Sequence, residues 1–213
     1  MVGRGGMGHY RRRDGYFRNA AAVIDSALGH LALQLNQMFR GRLVLSEDLV
    51  VVSNLQELDG SAVSQAAGKL VLFLAGIERD TAAYRARATP TGEQRSQMAV
   101  AEPLFLNLLV MCAATFSGQH YPEALRFLSD AVAFFQANPV LDHQGTPGLD
   151  ARIERLVVNI ENLTTAEMHS LWSIHGGRYL PSVLYRVRLV CLENGAVLRR
   201  QPLVGQPEVE ARP

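Results

Sequence analysis

The chain is predicted to fold as a single α+β domain, a mixed sheet carrying about three helices, on three observations. Its periodic segments run in the order α, β, β, β, α, β, α, β, so strands cluster instead of alternating regularly with helices. The stretch YPEALRFLSDAVAFFQANPV from Tyr121 to Val140 repeats apolar residues at helical spacing between two strand-like segments. Near the end, Tyr185, Val187, Leu189 and Cys191 alternate with Arg186 and Arg188, the period of a strand with one covered face.

Met1 to Arg18 holds five glycines and five arginines with almost no periodic apolar residue, so it reads as a flexible arm or as a start placed too early, with Met7 as the alternative. Ile24, Ala27, Leu28, Leu31, Leu35 and Met38 then predict a helix over Asn19 to Phe39, stopped by Arg40-Gly41. Leu49 to Val52 and Leu70 to Ile77 are strand-like runs separated by Asp59-Gly60-Ser61 and Gly68. The polar segment Thr81 to Glu102, with Pro90 and Gly92, is longer than a tight hairpin needs and reads as a mobile or partner-ordered loop. Leu104 to Phe116 is apolar on both sides, as a central strand covered on two faces would be.

In the helix that follows, Leu125, Leu128, Val132 and Phe135 form the expected buried face, widened by Ala124, Ala131 and Phe134, with Pro122 in the first turn and Pro139 as the stop. Gln144 to Asp150 is a turn cluster. Ile153 to Leu163 offers Leu156, Val158 and Ile160 on one face of a strand and Val157, Asn159 and Glu161 on the other. Thr164 and Glu167 match a capping box for a short helix carrying Met168, Leu171, Trp172 and His175, ended by Gly176-Gly177. Trp172 and Tyr179 read as packing residues. The three prolines after Leu198 keep the tail extended. The organisation is therefore an arm over 1–18, a folded body over 19–197 and a tail over 198–213.

With 213 residues, 48% hydrophobic and 19% charged, the chain is long enough for one real core. A net charge of +1 gives no long-range field and argues against a protein that coats nucleic acid. Cys112 and Cys191 sit inside apolar runs without a CxxC pattern, so they read as buried free thiols, neither zinc ligands nor a disulfide. The longest apolar run, Leu104 to Phe116, is too short for a membrane span, and the N-terminus lacks a signal core, so the expected compartment is the cytoplasm.

Chemistry is sparse. His169 and His175 fall on opposite sides of a helix, which disfavours a metal pair. Glu47 with Asp48, and Glu78 with Asp80, read as solvated rims of strands. Ser117-Gly118 and Gly176-Gly177 stand where turns are needed, outside any nucleophile elbow or phosphate loop. No catalytic, metal or cofactor residues are assigned, and the expectation is a non-enzyme. Arg11-Arg12-Arg13 with Tyr10, Tyr16 and Phe17 has two readings, a nucleic-acid arm or a solvated tail, and the unbiased charge of the body favours the second. Arg186 and Arg188 on the polar side of the last strand, and Arg199 and Arg200 after the Asn194-Gly195 turn, either solvate one sheet face or contact neighbouring subunits. They are the candidate interface residues.

Five pieces, VIDSALGHLALQLNQMF, LSEDLVVVSNL, LFLNLLVMCAATFSGQHYPEALRFLSDAVAFFQANPV, TPGLD and LWSIHGGRYLPSVLYRVRLV, occur in an order and spacing that cover roughly Ala22 to Val197. In these the chain resembles the N-terminal domain family of tail cap, or tail terminator, proteins of extracellular contractile injection systems, phage-tail-like particles that include the antifeeding prophage. The resemblance implies a structural ring, expected to be hexameric, on the end of tube and sheath distal to the baseplate, with those two polymers and other copies of itself as partners and no cofactor. A connector or tail-completion protein of a true phage, and a nucleic-acid-binding module, are the alternatives. The Thr81 to Glu102 loop and the tail after Asn194 are expected to be ordered by partners, the tail by adding a strand to a neighbour's sheet or else remaining unstructured.

Overall fold

The structure, a computed structural model, describes residues 23–44, 46–81, 98–100, 105–176, 178–191 and 197–200, with the backbone alone described at 98–100, 191 and 197–200. The arm over 1–18, Arg11 to Arg13, the Asn194-Gly195 turn and residues 201–213 lie outside the described residues.

Among the described residues three helices, α1 (Val23–Arg42), α2 (Tyr121–Ala137) and α3 (Thr165–Ile174), accompany the strands β1 (Val50–Val52), β2 (Leu70–Arg79), β3 (Met98–Val100), β4 (Phe105–Ala114), β5 (Val140–Asp142), β6 (Ile153–Ile160), β7 (Ser182–Cys191) and β8 (Val197–Arg200). Six strands form one sheet in the order β1-β2-β4-β7-β6-β5. The β1–β2 pair is parallel and the other pairs are antiparallel, so the sheet is mixed as predicted. All eight elements expected from sequence are present. The short strands β3, β5 and β8 are additional, because three or four residues carry too little alternation to register as a pattern.

Helices α1 and α2 cover one face of the sheet. Leu70 and Leu72 from β2, Leu108, Val110 and Cys112 from β4, Leu156 and Val158 from β6, and Tyr185, Val187 and Leu189 from β7 meet Leu28, Leu31, Leu35 and Phe39 of α1 there. The opposite face holds a smaller cluster in which Val71, Phe73, Met111, Ala113 and Leu184 meet Trp172 of α3 and Val63 and Ala66 of the β1–β2 crossover. β4 therefore buries side chains on both faces, which is why its sequence does not alternate.

Three expectations are corrected. Helix α1 continues through Gly41 to Arg42, where Arg42 pairs with Asp130 at 3.3 Å; one exposed glycine costs a helix only about 1 kcal/mol, too little to end it here. In α2, Ala124, Ala131 and Phe135 of the predicted face are buried and Leu128 and Phe134 pack against the core, but Phe127 is buried where Leu125 was expected, and Leu125 is 40% exposed. In β6, Leu156 and Val158 point inward as expected, but Ile160 lies past the cover of the helices and is exposed.

The two segments assigned to partners each supply a strand to a pair within the chain. β3, from the predicted loop, pairs antiparallel with β8, which straddles the boundary drawn between body and tail. Backbone hydrogen bonding makes this pairing possible with little demand on side-chain identity.

The turn between β5 and β6 is tied to α1 by a buried histidine. The Thr146 hydroxyl donates its proton to the Asp142 carbonyl at 2.8 Å. His30 Nε2, 3.1 Å from the same hydroxyl oxygen, must then be the donor. Its Nδ1 is buried with no hydrogen-bond partner among the described residues. Burial, reinforced by nearby His143, holds the His30 pKa below its usual value. Protonation is thus disfavoured in the fold and stability falls as pH drops below the ordinary histidine range of about 6.5. Chemical denaturation is expected to show this loss between about pH 7 and 5. His30→Gln, which keeps a donor and cannot titrate, should flatten it; an unchanged slope would remove His30 from the account.

Candidate assembly surface

Beyond the α3 cluster the second face of the sheet is polar, and strand register explains which groups meet there. Gly76, Leu109, Arg186 and Asn159 form one cross-strand row, and Glu78, Asn107, Arg188 and Val157 the next. Arg186 Nε donates to Glu161 at 2.6 Å while its Nη1 donates to Glu78, so one guanidinium ties β2 to the end of β6 across β4 and β7. These bonds hold the Glu161 carboxyl below its usual range and raise Arg186 further. Arg188 Nε lies 2.8 Å from the carboxylate of Asp80.

Sequence placed Glu78 and Asp80 together on a solvated rim. Glu78 is partly exposed, but Asp80 is only 3% exposed, because the backbone N–H of Asp80 bonds the Phe105 carbonyl and draws the residue in against β4. Glu47 and Asp48 do lie on the surface, paired with Lys69 at 3.4 Å and Arg40 at 2.6 Å. Of the four candidate interface arginines, Arg186 and Arg188 are brought together in this charged strip, each already paired within the chain. Arg199 and Arg200 stand on β8, opposite Ala99 and Met98 of the separate two-stranded sheet.

The edges of the main sheet differ from its face. Val50 turns its N–H and C=O away from β2, and the Asn36 side chain of α1 meets both: Nδ2 donates to the Val50 carbonyl at 2.8 Å and Oδ1 accepts from the Val50 N–H at 2.9 Å. An amide side chain takes the place of a neighbouring strand, so this edge offers no free ladder for another chain at Val50. Sequence reasoning missed Asn36. Its signal was a polar residue inside an apolar helix stripe, between Leu35 and Phe39. The far edge is the three-residue β5, whose exit is fixed by the Asp142 carboxylate accepting from the N–H groups of Gln144 and Gly145.

Reactive chemistry is thin on this scaffold. The Cys112 thiol is fully buried and its pKa is pushed up to about 12, which leaves it unreactive near neutrality. Cys191 belongs to β7 and its side chain lies outside the description. Trp172 packs as expected, whereas Tyr179 is 57% exposed and rests edge-on against Trp172 at 5.7 Å. The predicted capping box is formed: Thr164 Oγ1 accepts from the Glu167 N–H, and the Glu167 carboxylate accepts from the Thr164 N–H. Among the described residues no three His, Cys, Asp or Glu side chains converge as metal ligands, and no helix is long and apolar enough to cross a membrane.

The sequence that folds this way matches a known family model. The Pvc16 N-terminal domain aligns with residues 29–206. The chain belongs to the Pvc16 N-terminal domain family. Among solved structures, its fold is similar to the sheath/tube terminator of the PVC extracellular contractile injection system in the extended state, with TM-score 0.53 and 14% identity over 89% of this chain and 64% of that one. The tube-terminating cap of the anti-feeding prophage aligns with TM-score 0.48 and 14% identity over 81% of this chain and 57% of the other. The Pvc16-type chain described here thus spans less than two thirds of the length of each of these structures. No curated protein is detectably similar in sequence.

Proposed function

We propose that this Pvc16-type domain is a structural cap: a subunit of a ring, expected to be hexameric, that sits on the end of the inner tube and sheath of a contractile injection particle, distal to the baseplate, and stops their growth. The observation that carries the reading is the family match across residues 29–206; the fold shared with a sheath/tube terminator supports it. Such a role needs geometry and no reaction. Head-to-tail contacts that fail to close give open fibres, so a terminator must close on itself sideways and present two unlike surfaces along the fibre.

One surface of the chain suits a contact of this kind. The ion-paired strip of Glu78, Asp80, Arg186 and Arg188 is a polar surface with fixed geometry, suited to a contact that must also survive exposed to water. We assign ring or axial contact to this strip and to Arg199 and Arg200 on β8, with assembly in the cytoplasm. Tube and sheath proteins are the partners, and the domain acts without catalysis.

Deleting the gene and imaging the particles by electron microscopy tests the reading. Overlong, irregular or absent sheathed tubes are expected. Tubes of normal length and normal ends would reject capping.

A further inference from the structure

A groove of about 930 Å³ opens at the end of the molecule where β4 finishes and β7 begins. Val63, Phe116 and Leu180 supply its apolar lining, and His120, His175 and Arg178 its polar side. Among the described residues no Asp or Glu lines it. His120 is engaged with Glu123 at 3.3 Å, and His175 rests edge-on against Phe73 at 4.8 Å. Arg178 is exposed and has no ion pair among the described residues. The groove therefore presents an apolar trough beside an uncompensated cation, which fits an extended segment bearing both apolar and acidic side chains.

The chain contains one such segment. Residues 201–213, QPLVGQPEVEARP, place Leu203 and Val204 a few residues ahead of Glu208 and Glu210, with prolines at 202 and 207 that oppose helix and suit an extended ligand. We propose that this segment of one copy docks in the groove of a second copy, apolar residues in the trough and carboxylates toward Arg178. β7 leads away from the groove for about 30 Å before the chain reaches β8, so in a head-to-tail ring the segment of one copy can be offered to the groove of the next. The assignment rests on the ring reading above and names one contact within it.

The test uses the full chain with p-benzoylphenylalanine at position 204, mixing isotope-labelled and unlabelled copies before irradiation and reading cross-linked peptides by mass spectrometry. Cross-links to peptides containing Phe116 or Leu180, formed between copies, are expected, and Arg178→Glu should lower their yield. A fluorescent peptide of residues 201–213 is expected to bind the unmodified full chain about fivefold more tightly than the Arg178→Glu chain. Cross-links within one copy, cross-links to other surfaces, or peptide binding indifferent to Arg178→Glu would each overturn the contact. Light scattering on the same samples separates the two readings: a ring with cross-links elsewhere sinks the docking alone, whereas a chain that stays monomeric at high concentration sinks the ring as well.

Discussion

Phe127→Ala is expected to destabilise the domain by about 3–5 kcal/mol, whereas Leu125→Ala, two residues away, should cost about 1 kcal/mol or less. Phe127 is 7% exposed, and its ring meets both Phe39 of α1 and Phe116 beyond β4 with centroids 5.7 Å apart. Truncation would leave a cavity where helix, helix and sheet converge, and none of the three can close it without moving the others. Leu125 is 40% exposed and already half in water. Urea denaturation of the two variants measures the difference. The reverse ranking would mean that the stripe predicted from sequence is the one that faces the sheet.

That pair of residues also shows where sequence stops being informative. Positions 124, 127, 131 and 135 and positions 125, 128, 132 and 135 are both apolar at helical spacing; they share Phe135, and their other members are sequence neighbours, each about 100° apart around the helix. Periodicity alone prefers the leucines and the valine because they are larger. Packing prefers the other set, since Ala124 and Ala131 let the helix backbone approach the sheet while Phe127 and Phe135 fill the space on either side. The Phe135 ring meets Tyr185 of β7 at 5.1 Å, a contact that no local pattern encodes.

The same division runs through the rest of the molecule. Long elements announce themselves: α1, β7 and the capped α3 are legible from spacing and β4 from its unbroken apolar run, and so is the polar outward side of Arg186 and Arg188. What those arginines touch was not legible, because Glu78, Asp80 and Glu161 reach them through strand order, and the sheet places β2 and β6 on either side of the β4–β7 pair. The pairing of β3 with β8 was hidden for a related reason. Two segments about a hundred residues apart, each only three or four residues long, have no local signature of the partner that completes them.

Asn36→Leu is the second large effect, expected to cost about 2–5 kcal/mol, because it strips two buried backbone groups of their partners at once. Asn36 is 6% exposed and Val50 only 2%, so water cannot replace the lost bonds without opening the α1–β1 contact. Leucine is close in volume and more apolar, and a simple burial argument would call the change favourable. The backbone argument wins because two unmade hydrogen bonds in the interior, at about 1–3 kcal/mol each, together outweigh one side chain's gain in transfer free energy. Gln37→Leu, on the exposed side of the same helix turn, is the control and should fall within about 0.5 kcal/mol of the parent. Hydrogen exchange supplies a local readout: the Val50 amide should lose protection in Asn36→Leu more than the amides at the centre of β4 do. If Asn36→Leu matches the parent in stability and in protection at Val50, the amide is not what closes this edge of the sheet, and β1 is open to another chain after all.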